Sequence, residues 1–391
     1  MELEGKKVLV RVDFNVPIKN GMVEDDTRLK ATIPTINFLL EKNCKIILMS
    51  HLGRPKKLLK KGKSLEKIKK ELTLKPVAED LNDLLGVSVG FVDDCIGVEV
   101  PNENDVVLLE NLRFHPEEEK NDEQFAKKLA VHADVYVNDA FGACHREHAS
   151  VHAITNFLPS YAGLLVEKEV EQLTKLLNPE KPFAAIVAGA KADKIGALKV
   201  LVNKADKILI AGVLANTFLK EKNIDIGASK FDEETFDVAK EIINLAGNKL
   251  KFPVDFIVAD KFDNKADTQT VSVDKISKEL MVLDIGPETI QSYKDELKDA
   301  KTVFWAGPLG VFEMETFSTG TKEIGEFLGN LKATVIAGGG DTGAAINNFE
   351  LADKLTHVST GGGASLEFIE KEGKLPGLVA LEEAYNKAKE Q

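Results

Sequence analysis

The sequence predicts an α/β protein made of two domains, each built on a parallel sheet. Short apolar runs alternate with amphipathic helical stretches along the chain. Most of these runs are continuous, which is typical of parallel strands buried on both faces. At 391 residues, the chain is also longer than one hydrophobic core usually serves. Alternating strands and helices in both halves therefore indicate two βαβ domains.

The individual elements follow from these runs and their periodicity. Amphipathic periodicity predicts helices at 27–43, 232–247 and 321–332. The segment VEKEVEQLTKLLNPEKP (166–182) is helical and heavily charged, and it ends in proline-containing turn residues. We interpret it as a helix that connects the two domains. The predicted strands are 6–13, 45–50, 87–92, 105–110, 134–138, 183–188, 207–211, 254–259, 302–306, 334–338 and 356–359.

Composition and charge narrow the class of protein. A net charge of −12 argues against non-specific nucleic-acid binding. The three cysteines, Cys44, Cys95 and Cys144, are far apart, which suits a reducing compartment better than a disulfide framework. The chain shows no secretory signal pattern, and no apolar stretch approaches the roughly 20 residues of a membrane span. We therefore expect a cytoplasmic protein with neither a nucleic-acid nor a membrane partner.

Arginine is rare and confined to the first half of the chain. Of 51 basic residues only five are arginine, and all lie before residue 150. Because lysine serves wherever simple surface charge is needed, arginine indicates a place for a planar, bidentate donor to phosphate or carboxylate. Alternatively, a compositional bias toward lysine left these few arginines at random positions. The five positions are Arg11, Arg28, Arg54, Arg113 and Arg146.

Polar and basic residues follow four predicted strands of the first half. Arg11, Asp13 and Asn15 share one side of the first strand. Ligands of open α/β sheets bind at the carboxyl ends of the strands, so these residues are expected to converge on a small molecule carrying phosphate and carboxylate groups. Alternatively, the first strand is an edge strand whose polar residues face solvent. The later strands are followed by His51, Arg54, Arg113, His145, Arg146 and His148.

Metal binding by the histidines is the less favoured interpretation. His145, His148 and His152 are spaced about one helical turn apart. No strand-end set of Asp, Glu or Cys accompanies them at the spacing of a closed metal site.

Glycine-rich turns follow the strands of the second half. They occur in GAKADKIG, WAGPLGVFE, AGGGDTG and HVSTGGGAS. Backbone N–H groups at helix N-termini bind phosphate, so several such turns at one sheet edge suit a polyphosphate. Lys191 and Lys194 lie beside the first turn, and Asp341 lies in the third. Asp341 is a suitable Mg²⁺ ligand, because Mg²⁺ is commonly held by one or two carboxylates and nucleotide phosphates.

Two familiar nucleotide motifs are incomplete. Gly338, Gly340 and Gly343 have the G-x-G-x-x-G spacing of a dinucleotide site. That site also needs an acidic residue about 20 positions later, and the strand that ends before 359–363 has none. NAD binding by a dehydrogenase is therefore disfavoured. The GKS at 62–64 does not complete a phosphate-binding P-loop, because Lys57 stands where glycine is required.

Eight motifs in order resemble those of the phosphoglycerate kinase family, over essentially the whole chain. They are RVDFNVP, SHLGRP, ENLRF, HREHAS, GAKADKIG, WAGPLGVFE, GGGDT and HVSTGGGAS. The resemblance implies two Rossmann-like domains joined by a connector helix, with hinge-bending closure. It implies a phosphoglycerate-binding domain (1–165 with the tail 376–391), the connector 166–182 and a nucleotide-binding domain (183–375). It also implies a monomer that transfers a phosphoryl group reversibly between 1,3-bisphosphoglycerate and Mg-ADP, giving 3-phosphoglycerate and ATP.

The resemblance also assigns site residues. Arg28 would additionally reach the transferred phosphoryl group, Lys191 matches the catalytic lysine, and Gly338 and Gly361 match further catalytic positions. Glu313 matches the ribose ligand and Asp341 the Mg²⁺ ligand, whereas Arg11 is expected to be structural. The phosphoglycerate ligands would be Asp13, Asn15, Arg28, His51, Arg54, Arg113 and Arg146. The nucleotide ligands would be Lys191, Lys194, Gly212, Pro308, Glu313, Gly339, Gly340, Asp341 and Thr342, with phosphate contacts also from 361–363.

The sequence departs from the family pattern at four places. Lys191 and Lys194 are three positions apart, whereas the family usually has four, and on a helix this turns the later side chain by about 100°. Ala306 stands where asparagine is usual, and Glu147 where alanine is common. The loop 211–218 lacks the usual run of glycines. These differences keep a non-catalytic phosphate-binding module open as an alternative and leave the direction of Lys194 undecided.

Overall fold

The computed structural model describes residues 3–189 and 194–390. The chain forms two compact units, Met1–Val170 with Lys374–Gln391, and Glu171–Gly373. Each unit contains a parallel sheet flanked by helices, which confirms the predicted α/β class.

The sheet of the first unit has the strand order β5-β6-β4-β1-β7-β8, and every neighbouring pair is parallel. The strands β2 and β3 form a separate antiparallel hairpin. The strands are β1 (Lys7–Arg11), β2 (Ile18–Lys19), β3 (Met22–Val23), β4 (Lys45–Met49), β5 (Val89–Val92), β6 (Val106–Leu109), β7 (Val135–Asn138) and β8 (Ser160–Ala162).

Helices cover both faces of this sheet. Val8 and Val10 pack into one hydrophobic cluster, whereas Leu9 packs into another on the opposite face. This two-sided burial explains why β1 has a continuous apolar sequence. The helices are α1 (Thr27–Glu41), α2 (Pro55–Lys60), α3 (Leu65–Glu71), α4 (Lys75–Leu85), α5 (Glu123–Ala130) and α6 (Leu164–Leu177).

The helix predicted at 166–182 is α6, and its observed bounds differ from the prediction. It begins at Leu164, and it ends at Leu177 because Asn178 precedes Pro179. A residue before proline is driven out of the helical region by steric conflict with the proline ring. The chain passes from the first unit to the second within α6.

The main sheet of the second unit has the strand order β11-β10-β9-β15-β16-β17, again with parallel pairs. A smaller antiparallel sheet has the order β13-β12-β14. The strands are β9 (Phe183–Val187), β10 (Lys207–Ile210), β11 (Leu250–Lys251), β12 (Asp255–Ala259), β13 (Thr268–Ser272), β14 (Met281–Ile285), β15 (Thr302–Ala306), β16 (Thr334–Ala337) and β17 (His357–Val358).

The strand predicted at 254–259 is present, but it lies outside the main parallel sheet. This strand is β12, and both of its neighbours run antiparallel to it. Sequence analysis did not predict either neighbour. The sequence of β13 is TQTVS, a largely exposed strand without an apolar run, so it lacks the signal on which strand prediction depends.

The helices of the second unit follow its strands as the βαβ pattern requires. After them, the last helix of the chain returns to the first unit, where Gly377 N donates to Cys144 O at 2.8 Å. The helices of the second unit are α7 (Ile195–Lys204), α8 (Gly212–Glu221), α9 (Phe236–Ala246), α10 (Pro287–Leu297), α11 (Thr319–Asn330), α12 (Gly340–Asn348) and α13 (Gly363–Glu370). The last helix, in the first unit, is α14 (Pro376–Glu390). Over the described ranges, none of the helices has the length and apolar character needed to cross a bilayer.

Candidate active site

Asp13, Arg28 and His51 meet at the carboxyl edge of the first sheet. Asp13 follows β1, His51 follows β4, and Arg28 is in the first turn of α1. The Arg28 guanidinium donates to Asp13 Oδ2 at 2.7 Å, and His51 Nδ1 lies 4.0 Å from Asp13 Oδ1. Asp13 Oδ1 is buried and has no hydrogen-bond partner among the described residues, so it is an acceptor available to a ligand.

Arg11 is completely buried behind this group. Its Nε donates to Ser150 Oγ at 2.8 Å, and a terminal nitrogen lies 3.0 Å from His51 Nδ1. A guanidinium can only donate, so His51 Nδ1 accepts this bond and the ring proton of neutral His51 is on Nε2. Arg11 thereby orients the His51 ring so that Nε2 is its hydrogen-bond donor.

His51 is surrounded by positive charge. Burial lowers the pKa of His51 well below its usual value, and Arg11, Arg113, Arg28 and Arg146 lower the pKa further, in that order. His51 is therefore neutral at physiological pH. The arginines instead provide the positive field, which favours an anionic ligand.

Arg113 is the most deeply buried of the predicted substrate arginines, with 7% exposure. One terminal nitrogen donates to Gly53 O at 2.7 Å, and Nε lies 3.7 Å from the Glu119 carboxylate. Burial, together with repulsion from Arg146 and Arg11, lowers the pKa of Arg113 to about 10. Nε has no hydrogen-bond partner in the described ranges, which leaves a buried donor for an anion.

The remaining predicted residues of the first unit lie in the loops of the same sheet edge. Asn15 Oδ1 accepts from Gly53 N at 2.8 Å, and Gly53 has the left-handed φ of +66° that favours glycine. Arg54 is exposed at the N-terminus of α2. Arg146 is half-buried after β7, and its Nε donates to His145 Nε2 at 2.9 Å.

The buried acid behind this edge, Glu118, was not predicted from the sequence. Glu118 is completely buried and accepts from Ser150 N at 2.9 Å and Ser150 Oγ at 2.6 Å. His148 Nδ1 lies 3.8 Å from Glu118. Burial and the nearby Arg113, Arg11 and Arg146 lower the pKa of His148 to about 3. Nothing in the local sequence indicated this network, because its members are far apart along the chain.

In the second unit, Lys194 lies at the carboxyl ends of β9 and β15. It is 5% exposed, and its amine donates to Ala188 O. A Cβ added to Gly307 or Gly189 would lie only 2.3 or 2.6 Å from Lys194 Nζ. The two strands meet where the sheet order reverses, which is the usual ligand position in open α/β sheets. Lys194 thus points into the glycine turns despite the shortened spacing. Lys191 lies outside the described residues.

Thr342 ties two glycine turns together. Its hydroxyl accepts from Gly307 N at 2.7 Å and donates to Gly338 O at 2.7 Å. The first N–H groups of a helix have no acceptor within the helix, so the first turn of α12 offers backbone donors to a ligand. Gly339 precedes α12 with φ +102°, and a Cβ on Gly340 would meet nothing within 4 Å, so the space in front of this helix is open.

Gly338 and Gly361 have different local roles. A Cβ on Gly338 would lie 2.8 Å from Ser365 Oγ, so close packing requires glycine there. Gly361 N donates to Ser359 Oγ at 3.2 Å, which shapes the turn before α13. Gly212 has φ +64° and opens α8 against Gly189.

A cavity of about 540 Å³ in the second unit is lined by four of the predicted nucleotide residues, whereas Lys194, Gly339, Gly340 and Thr342 are not part of its wall. Gly212, Pro308, Glu313 and Asp341 all line it. The antiparallel sheet contributes apolar wall residues that sequence analysis missed, including Phe256 and Leu283, and α8 contributes Asn216. The cavity thus combines an apolar wall with a glycine-rich, polar side, which suits a nucleotide.

Convergent arginines at one parallel sheet, and glycine turns beside a cavity at another, are typical of a two-domain α/β phosphotransferase. The family model of phosphoglycerate kinase matches residues 1–373. The chain therefore belongs to the phosphoglycerate kinase family, and it is an enzyme with the glycolytic kinase function of that family.

Relatives and solved structures match nearly the whole length of this chain. A phosphoglycerate kinase of Moorella thermoacetica is 50% identical over 394 residues, covering 98% of both chains. One of Dictyoglomus turgidum is 48% identical, covering 98% of this chain and 97% of the relative. The structure of phosphoglycerate kinase from Coxiella burnetii has a TM-score of 0.84 at 38% identity, with 98% and 97% coverage. That from Pyrococcus horikoshii OT3 has a TM-score of 0.86 at 30% identity, with 99% and 98% coverage.

Proposed function

We propose that this enzyme transfers a phosphoryl group reversibly between 1,3-bisphosphoglycerate and Mg-ADP, giving 3-phosphoglycerate and ATP. The observation that carries the proposal is the convergence of four arginines on His51 at one sheet edge, where burial first and then Arg11, Arg113, Arg28 and Arg146 lower the pKa of His51. Such a cluster is costly without an anionic ligand, because like charges repel in a partly buried setting. Family membership supports the same chemistry.

The phosphoglycerate is proposed to bind at the first unit. Arg28, Arg54, Arg113 and Arg146 would hold its phosphate and carboxylate groups with bidentate, charge-assisted hydrogen bonds. His51 would donate from Nε2, since Arg11 occupies Nδ1. The free Oδ1 of Asp13 would accept the substrate hydroxyl, and Asn15, which accepts from Gly53 N, would complete the pocket from the segment after β1.

The nucleotide is proposed to bind at the second unit. Its phosphates would approach the first turn of α12 at Gly340, Asp341 and Thr342, where backbone N–H groups and the helix dipole favour anions. Gly339, Gly338 and Gly361 would allow close approach of the backbone, and Lys191 and Lys194 would contact the phosphates. Gly212, Pro308 and Glu313 line the cavity, where Glu313 would bind the ribose.

Asp341 fits the role of a metal ligand, since it is an acidic residue that lines the cavity and lies in the helix turn proposed to hold phosphate. Bound Mg²⁺ would neutralise phosphate charge. The chain's own groups position both reactants and stabilise the charge on the transferred group, which is how phosphoryl transfer is mainly catalysed. A carboxylate nucleophile needs no general base, so the histidines bind and orient rather than move protons.

Domain closure is part of the proposal. The arginines belong to the first unit and the glycine turns to the second. Hinge motion that brings the bound substrates together and excludes water would complete the site. We propose the boundaries 1–165 with 376–391 for the phosphoglycerate domain and 183–375 for the nucleotide domain. We also propose a cytoplasmic monomer without nucleic-acid or membrane partners.

A coupled assay with 3-phosphoglycerate, ATP and Mg²⁺ tests the proposal. We expect formation of the acyl phosphate. Absence of turnover would refute the proposed reaction, and ligand binding without turnover would support a phosphate-binding module instead. NADH titration is expected to show no binding, since the acidic ribose ligand of a dinucleotide site is absent from the sequence.

A further inference from the structure

Asp94, Cys95 and His115 form a cluster of three metal-ligating side chains that the proposed reaction does not use. The Sγ of Cys95, a carboxylate oxygen of Asp94 and a ring nitrogen of His115 all lie within 4.8 Å of one another. His115 Nε2 and Asp94 Oδ1 are 2.6 Å apart. The ligand atoms of a tetrahedral zinc ion lie about 3.5 Å apart, since metal–ligand bonds are about 2.0 to 2.3 Å long. The three atoms therefore differ from the spacing that one ion requires by no more than about 1.3 Å.

The fold brings these three residues together at one edge of the first sheet. β5 and β6 are neighbouring parallel strands in register with each other. Asp94 and Cys95 follow β5, and His115 follows the short 3₁₀ turn Leu112–Phe114 after β6. Because the carboxyl ends of parallel strands meet at the same edge, ligands from two separate parts of the chain converge there.

Contacts around the cluster hold its backbone and its ring in place. Cys95 N donates to Asp94 Oδ1 at 2.7 Å, and His132 Nε2 donates to Cys95 O at 3.0 Å. The ring of His115 packs against the ring of Phe125, with 5.4 Å between the ring centres. The side chains of Asp94 and His115 are 38% and 25% exposed, so an ion can enter from solvent on this side.

The chemistry of the donors selects the kind of ion. Sulfur, nitrogen and oxygen ligands together suit zinc and related divalent transition metals, whereas Mg²⁺ and Ca²⁺ prefer oxygen ligands alone. On binding, the Cys95 thiol loses its proton to solvent, and His115 coordinates in its neutral form with the ring proton on Nδ1. The charges of the thiolate and of the Asp94 carboxylate then balance the two positive charges of the ion.

We propose that Asp94, Cys95 and His115 bind one divalent transition metal ion of the zinc type, with water as the fourth ligand. Three protein ligands and one open position make a four-coordinate site. The ion would tie the segment after β5 to the segment after β6. This site is separate from Asp341, and the inference does not depend on the proposed phosphoryl transfer.

The test adds Co²⁺ to the metal-free, full-length protein and records its absorption spectrum. We expect a near-ultraviolet charge-transfer band from thiolate bound to Co²⁺, together with the visible bands of a four-coordinate ion. An equimolar amount of Zn²⁺ should remove both, because such sites bind zinc more tightly than cobalt. Cys95→Ser should lose the charge-transfer band. Cys44→Ser is the matched control, since Cys44 is also buried, and it should keep the band.

A second pair of variants tests the carboxylate ligand. Asp94→Asn should weaken Co²⁺ binding by at least about tenfold, because even an outer partner of a ligand is worth that much. Asp93→Asn removes the neighbouring, exposed carboxylate and should change the affinity far less. Absence of the charge-transfer band from the folded wild type would overturn the inference, whatever the variants do. A band retained in folded Cys95→Ser, or equal weakening by Asp93→Asn and Asp94→Asn, would overturn it as well.

Discussion

The guanidinium of Arg11 and the ring of His51 are joined at 3.0 Å, and this contact determines which ring nitrogen of His51 faces the predicted substrate pocket. Both residues are buried, and Arg11 also contacts Val12 O and Ser150. The geometry makes Arg11 a positioning residue. Its positive charge contributes to the neutrality of His51, and its donor leaves the His51 proton on Nε2.

Arg11→Lys should therefore impair phosphoglycerate binding without removing a positive charge. A lysine amine cannot reproduce the planar fork that contacts Ser150, Val12 O and His51 at once. We expect KM for 3-phosphoglycerate to rise about tenfold, with KM for ATP nearly unchanged. Steady-state kinetics measure both, and the ¹⁵N shifts of the His51 ring report its tautomer. An unaltered tautomer together with an unaltered KM would contradict this role.

His148 should make stability fall in acid. Its folded pKa of about 3 is below the unfolded value of about 6.5, so folding disfavours its charged form. The resulting stability is present above pH 6.5 and is lost as pH falls from about 6.5 to 3. In this window the free energy of unfolding should lose about 1.4 kcal/mol per pH unit more in the wild type than in His148→Asn. Urea unfolding at several pH values measures the slopes, and parallel slopes would show that His148 is not responsible.

Asp284 should make the free energy of unfolding fall as the pH rises, which is the opposite of the effect expected for His148. It is 1% exposed, and burial raises its pKa to about 7, although Gly320 N and Ile285 N donate to its carboxylate. The folded state therefore holds this proton more tightly than the unfolded state does. The associated stability is fully present below about pH 4 and is lost as pH rises through 7.

Asp284→Asn removes this titration. Relative to the wild type, the variant should gain up to about 1.4 kcal/mol of unfolding free energy per pH unit between pH 4 and 7. Thermal unfolding across this pH range makes the comparison. A constant difference between the two proteins would exclude Asp284 as the titrating group.

Gly307 and Gly340 differ in how much room the structure leaves for a side chain, so substitutions at the two positions can be compared. Gly307 has φ +106°, and a Cβ there would lie 2.0 Å from Ala188 O, whereas a Cβ on Gly340 would meet nothing within 4 Å. Gly307→Ala should destabilise the protein by roughly 2 kcal/mol or more. Gly340→Ala should preserve stability but raise KM for ATP, because its methyl group enters the proposed phosphate space. Equal stability of the two variants would contradict the steric argument.

The sequence predicted the parallel strands and the clustering of side chains at their ends, because apolar runs and strand-end residues are local signals. It did not predict β13, since a largely exposed strand that begins at Thr268 contains no apolar run. The strand β14 was overlooked although its sequence, MVLDI, is mostly apolar. The contact between Glu118 and Ser150 joins residues 32 positions apart, and no local pattern reports it. The direction of Lys194 likewise depends on Ala188 and Gly307, which only the folded sheet brings together.

Arg28→Ala tests the transition-state role proposed for this arginine. Arg28 donates to Asp13 at 2.7 Å, and about a third of its side chain is exposed, so it can reach a ligand while anchored. If it stabilises the transferred phosphoryl group, its loss should lower kcat by about 100-fold and change KM for 3-phosphoglycerate much less. Lys30→Ala on the same helix is the control, because Lys30 pairs with Asp26 in solvent and should leave both parameters unchanged. A variant at Arg28 that raises KM while kcat stays at the wild-type value would assign the residue to substrate binding alone.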